Sequence, residues 1–117
     1  MEINIEEAEK YLDFIDVKYF EAKKNGMSRF DVKWGVWSVV MNRELRNKEK
    51  ENPLLVSVFM YWVAASQLLQ LCFKHKVLKN LAKKKLRQEM ESLKNRIKEG
   101  IAPEESIQEF VIKGIKK

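Results

Sequence analysis

The sequence contains few of the residues that catalysis or a metal site would require. It has one histidine, His75, and one cysteine, Cys72. Zinc sites are built mostly from several His and Cys ligands, so zinc-binding patterns are excluded. The four glycines are isolated, which excludes the glycine-rich loops that cradle phosphates. No carboxylate stands at a readable spacing to orient His75, and we therefore expect no enzymatic activity and no cofactor.

The chain also lacks the features of an exported protein. A single cysteine cannot form an internal disulfide, and Cys72 lies within an apolar run typical of a buried small side chain. Residues 1–7 are acidic and lack the basic start and apolar core of a signal peptide. Together these observations predict a reducing, cytoplasmic setting.

Glycine and proline are scarce, with four and two copies in 117 residues, so we expect long elements and short loops. The composition is 45% hydrophobic and 34% charged, which is unlike that of disordered chains. No alternating apolar and polar stretch is long enough for a confident strand. The sequence therefore predicts an all-α fold: one domain, 1–117, forming a bundle of four to five helices around a hydrophobic central helix, with one long basic amphipathic helix.

Helix start and stop signals are easy to place. Asn4 with Glu7 three residues later resembles a capping box, and Asn52 before Pro53 marks another helix start. Gly100 is expected to end the following helical stretch, since glycine tolerates the left-handed conformation of a C-terminal cap. A short last helix is expected to open at residues 102–105. Within residues 53–98 we predict two helices with a break near residues 74–76, because one helix of that length would be unusual.

Two of the predicted helices carry apolar stripes. In the first, a narrow seam with heptad spacing predicts contact with one partner helix; it consists of Ile5, Ala8, Leu12, Ile15 and Tyr19. In the second, the pattern predicts a broader core-facing stripe; it consists of Phe30, Trp34, Trp37, Met41 and Leu45, widened by Val36, Val39 and Val40.

Residues 52–73 carry no charge, and two interpretations follow. The run has the length of a membrane span at 53–73, followed by cationic residues. Glutamines and serines interrupt it, however, so we prefer a central helix buried by its neighbours. A chain this short would struggle to cover such a helix, which predicts a homo-oligomer. The candidate interface aromatics are Trp34, Trp37, Tyr61 and Trp62.

The positive charge is concentrated in one segment. Residues 74–98 carry ten Lys or Arg and two Glu, a net charge of +8 in a chain whose total is +6. At about 100° per residue, five of these cations fall within roughly 60° of one another, which predicts a continuous outward row. The row consists of Lys76, Lys83, Arg87, Lys94 and Lys98, supported by Lys79 and Lys84.

A row of cations on one helix face suits a polyanion with regularly spaced phosphates. Contacts made mainly by lysine reach the phosphates and not the base edges, so the predicted function is sequence-independent contact with nucleic acid. An anionic membrane surface or an acidic protein would fit the same row. The first alternative is a protein-interaction or scaffold subunit, such as an accessory protein of a virus or mobile element. The second is a small membrane protein with its span at 53–73.

Overall fold

The computed structural model describes residues 3–25, 34–74 and 80–116, so Phe30, His75, Lys76 and Lys79 lie outside the described residues. The described part forms five helices, which we number in chain order: α1 Ile5–Asn25, α2 Gly35–Lys48, α3 Leu54–Lys74, α4 Asn80–Lys98 and α5 Ile107–Lys116. This confirms the prediction of an all-α bundle of four to five helices. As predicted, the stretch 53–98 is divided between two helices, α3 and α4. The two helices pack against each other.

The starts of α1 and α3 are held together by a buried asparagine. Asn4 caps α1 as predicted, because its Oδ1 accepts a hydrogen bond from the Glu7 N–H at 2.9 Å. The Asn52 side chain donates to the Asn4 carbonyl at 2.9 Å and to Glu7 Oε1 at 3.0 Å, and it accepts from the Asn4 N–H at 3.2 Å. Further along, Asp16 of α1 meets Tyr61 of α3, so the two helices run parallel.

Helix α3 is the centre of the bundle. Its fully buried side chains lie on several sides of the helix and include Leu54, Leu55, Val58, Leu68 and Leu69. Helices α1, α2, α4 and α5 all pack against it. From α1 the predicted seam contributes Ala8, Leu12 and Ile15, all buried. The hydrophobic central helix of the prediction is therefore α3, stabilised by removal of its apolar surface from water.

Among the described residues, one helical segment, Leu54–Cys72, is long and apolar enough to cross a membrane. In the bundle, 67% of its most hydrophobic window is buried by other parts of the chain. The mostly buried core helix of a bundle has the same length and composition, because such a helix is apolar all round.

Helix α2 is joined to α3 by a pair of stacked tryptophans. The rings of Trp34 and Trp62 lie 4.2 Å apart between centroids and 4° from parallel. Trp34 Nε1 donates to Ser66 Oγ at 2.8 Å, and Trp62 Nε1 donates to Ser38 Oγ at 3.2 Å. Both indole N–H groups therefore keep a hydrogen bond although the rings are buried, which makes the burial of these large side chains favourable.

The loop between α4 and α5 begins with a glycine turn that ends α4 and finishes with a serine that caps α5. Gly100 has φ of +74°, and the N–H of Ile101 donates to the Arg96 carbonyl at 2.9 Å, which closes α4 as a Schellman motif. The last helix starts later than predicted, at Ile107. Ser106 caps it, accepting from the Glu109 N–H at 3.1 Å while Glu109 accepts from the Ser106 N–H at 3.3 Å.

Candidate docking groove and basic helix

The structure interrupts the predicted row of cations on α4. Lys83 is buried, with 9% of its surface exposed. Lys94 is only partly exposed, and its Nζ lies 2.8 Å from Asp16 Oδ2 on α1. Lys76 and Lys79 lie outside the described residues, and the remaining predicted contacts, Lys84, Arg87 and Lys98, are exposed. The prediction of one continuous outward row is therefore wrong.

The reason is that α4 packs against two helices and not one. It contacts both α3 and α1, so a wide sector of its surface is covered. By helical phase, Lys83 and Lys94 lie at the edge of that sector, which also contains the buried Leu93 and Ile97. A lysine can occupy such a position, because its aliphatic stem packs against apolar surface while the ammonium group finds water or a carboxylate.

The cluster around Asp16 joins three helices. Asp16 accepts a short hydrogen bond from the Tyr61 hydroxyl through Oδ1 and pairs with Lys94 through Oδ2. The Lys94 ammonium also lies 5.6 Å from the centroid of the Tyr61 ring. The pKa of Tyr61 is raised above its ordinary value, mainly by burial and also by the hydrogen bond to Asp16. The hydroxyl therefore stays protonated and donates to Asp16. Lys94 therefore has a structural partner within its own chain.

We expect Asp16→Ala to lower the free energy of unfolding by about 1–2 kcal/mol, because it removes the acceptor of Tyr61 and the charge partner of Lys94 in a partly exposed site. Denaturation with urea, followed by circular dichroism, measures this change. The control is Asp13→Ala on the same helix, where the side chain is exposed and a change within about 0.5 kcal/mol is expected. Equal effects of the two substitutions would contradict the structural role of Asp16.

The cations that remain on the outer surface of α4 are more scattered than the sequence predicts. Five are exposed: Lys84, Lys85, Arg87, Arg96 and Lys98. By helical phase, Lys84, Arg87 and Lys98 lie on one side of the exposed face and Lys85 and Arg96 on the other. Glu91 lies among the first group and Glu89 beside the second, and both carboxylates are exposed. The described surface of α4 therefore carries exposed cations along two sides of the helix, each interrupted by a glutamate.

Three of the four candidate interface aromatics are not available to a partner in this conformation. Trp34, Tyr61 and Trp62 are buried, with 4%, 3% and 4% of their surface exposed. Trp34 and Trp62 stack on each other, and Tyr61 donates to Asp16. Only Trp37 reaches the surface, where it lines a groove.

The groove lies between α1 and α2 and has a volume of about 570 Å³. Its apolar lining comes from both helices and consists of Tyr11, Phe14, Trp37, Val40 and Met41. Charged side chains also line it: Glu6, Glu7, Lys10, Glu44 and Lys48. Both helices pack on α3 through their buried faces, which leaves the space between them open on the outside.

Two lysines cross between the helices that border the groove. Lys48 of α2 donates to the Tyr11 hydroxyl of α1 at 3.2 Å, and this hydrogen bond raises the pKa of Lys48. Lys18 of α1 places its ammonium 4.3 Å from the centroid of the Trp37 ring on α2. Because residues 11 and 18 meet residues 48 and 37, α1 and α2 run antiparallel. The two lysines therefore connect α1 and α2 across the groove.

Apolar side chains continue from the groove onto the surface. Val40 is 53% exposed, and Phe14, Val17 and Val36 are also exposed. The sequence assigned Val36, Val39 and Val40 to the core stripe of α2, and the structure exposes all three. Contiguous exposed apolar surface rimmed by charge is typical of an interaction site.

Comparison with protein-family models, with curated proteins and with solved structures finds no match for the chain.

Proposed function

We propose that this chain is a non-enzymatic binding protein that docks a helix of a protein partner on the surface formed by α1 and α2. The observation that carries the proposal is the open groove, which α1 and α2 line with both apolar and charged side chains. Amphipathic helices bind in grooves of this kind by burying apolar side chains spaced three and four residues apart.

The exposed valines make the proposal energetically reasonable. Val17, Val36 and Val40 are each more than half exposed, and Phe14 adds an aromatic ring. Covering such surface is favourable by about 25 cal/mol for each Å² of apolar area removed from water. The half-buried Trp37 supplies the large aromatic side chain that is common among the residues dominating binding energy.

A site-specific photo-crosslink tests the proposal in cells. The photoreactive residue benzoylphenylalanine is placed at Val40 in the full chain, with a matched control at Gln88, which is exposed on α4. We expect a protein adduct from position 40 and little or none from position 88. Adding Phe14→Glu to the Val40 probe is expected to remove the adduct, because a carboxylate would be forced into the apolar lining.

Mass spectrometry of the adduct identifies the partner and the crosslinked peptide. The proposal requires both the dependence on position and the loss with Phe14→Glu. Equal adducts from positions 40 and 88, or none from position 40, would contradict docking in the groove.

The exposed cations of α4 support a second candidate, weak contact with nucleic acid that is independent of sequence. Arg87 and Lys98 are exposed on one side of the helix. We expect Arg87→Glu with Lys98→Glu to reduce the salt dependence of DNA binding, the slope of log K against log salt, by at least about two. Fluorescence anisotropy with a labelled duplex measures the slope. The control, Lys23→Glu with Lys24→Glu, makes the same charge change on α1, and equal losses in both variants would reject α4 as the binding surface.

A further inference from the structure

Resting on the proposed function, we infer that the partner bound to the α1–α2 surface is a second copy of this chain, which presents its own α1 and α2 to that surface. The two copies form an isologous dimer whose two-fold axis runs along the groove. Each α1 then lies over α2 of the other copy. Three properties of the surface support this arrangement: the direction of its helices, the distribution of its charges and the position of its apolar residues.

The directions of the helices are compatible with this pairing. Tyr11 of α1 meets Lys48 near the end of α2, and Lys18 meets Trp37 near its start. The beginning of α1 and the end of α2 therefore lie at the same end of the groove. Rotation by 180° about an axis along the groove exchanges the two sides but keeps the ends. It places α1 antiparallel on α2 of the second copy. Residues at the same position along the groove then lie opposite one another.

The charges on the two sides are complementary. Asp16 is excluded from this comparison, because it already pairs with Lys94 of the same chain. The exposed charged residues of segment 5–16 on α1 are Glu6, Lys10 and Asp13, a net of −1. Those of segment 43–48 on α2 are Arg43, Glu44 and Arg46, a net of +1. Because both charged segments lie at the same end of the groove, the rotation brings the acidic segment of each copy onto the basic segment of the other.

The apolar residues lie between the two helices, where a self-complementary contact needs them. Phe14 of α1 and Val40 of α2 line the groove, and Val17 and Val36 are exposed on the same two helices. In an isologous interface each patch contacts its own equivalent set, so every apolar contact occurs twice. An apolar centre with opposite charges at its edge is the arrangement found in protein interfaces.

Two charge-reversal variants test the arrangement by sedimentation velocity over a range of protein concentrations. The acidic-side variant carries Glu6→Lys and Asp13→Lys, and the basic-side variant carries Arg43→Glu and Arg46→Glu. The wild-type chain is expected to dimerise. Each variant alone is expected to dimerise at least about tenfold more weakly, since like charges then face one another on both sides of the axis. All four positions are exposed, so the fold should be retained, and circular dichroism checks this.

Mixing the two variants provides the decisive result. In a mixed dimer the new lysines of one copy face the new glutamates of the other, and the unchanged acidic and basic segments face each other. The mixture is therefore expected to dimerise at concentrations at which each variant alone is mostly monomeric. Val40→Glu, which changes the apolar centre, should prevent dimerisation in every combination.

Three results would overturn the inference: a wild-type chain that stays monomeric at the highest concentration, a dimer that survives Val40→Glu, or a mixture that remains monomeric. The crosslink at position 40 separates these failures from failure of the proposed function. An adduct with a different protein would leave the groove as a docking site while rejecting the second copy as its occupant. Absence of any position-dependent adduct would reject both.

Discussion

Replacing Trp62 with alanine is expected to lower the free energy of unfolding by about 3–5 kcal/mol. Trp62 is 4% exposed and stacks on Trp34 with 4.2 Å between ring centroids. Its loss would leave a cavity between α2 and α3 and would remove the donor to Ser38 Oγ. A change of this size is a large part of the stability of a domain of this length. Denaturation with guanidinium chloride measures it.

Trp37→Ala is the matched control, since it removes the same side chain from α2 at a half-buried position. It should destabilise the isolated chain by less than half as much, because its ring is in contact with solvent along the groove. A Trp37 substitution as costly as that of Trp62 would contradict the division of the tryptophans into a core pair and a surface residue.

The second large effect is expected at Asn52. Asn52→Ala should lower the free energy of unfolding by about 2–4 kcal/mol, because it leaves buried hydrogen-bonding groups without partners. The residue is 2% exposed, and its side chain makes three hydrogen bonds to Asn4 and Glu7. Its loss would release the start of α1 from the start of α3.

Asn47→Ala tests the specificity of that result. Asn47 is exposed near the end of α2, so the same substitution there should change stability by no more than about 0.5 kcal/mol. Urea denaturation of both variants under the same conditions provides the comparison. Similar stabilities for the two variants would reject Asn52 as the link between the helix starts.

The helices were predictable from the sequence because their signals are local. Asn4, Asn52 and Gly100 act where sequence patterns place a cap, a start and an end. Ser106 with Glu109 forms a capping box that the sequence also contains, and the prediction of an earlier start at residues 102–105 overlooked it. The long uncharged run was correctly interpreted as the central helix because its neighbours carry apolar stripes that need a partner.

The functional surface was harder to predict, because the exposure of a side chain depends on how many helices cover it. Helical phase grouped Lys83 and Lys94 with Arg87. Because α4 contacts two neighbouring helices, Lys83 is buried and Lys94 is partly covered, where it pairs with Asp16. Lys94 and Asp16 are 78 positions apart in the sequence, so a local sequence pattern cannot predict that they form a pair. The reverse error occurred on α2, where Val36 and Val40 looked like core residues and are exposed. The groove arises only when α1 and α2 pack side by side on α3.

Fluorine NMR of the chain labelled with 5-fluorotryptophan tests association through the α1–α2 surface most directly. The chain has three tryptophans; Trp34 and Trp62 are stacked in the core, and Trp37 lines the groove. Substitution of each tryptophan in turn assigns the three resonances. Upon dilution of the protein, the Trp37 resonance is expected to shift while those of Trp34 and Trp62 stay in place. Three resonances that are independent of concentration, or a shift confined to the core pair, would contradict association through the groove.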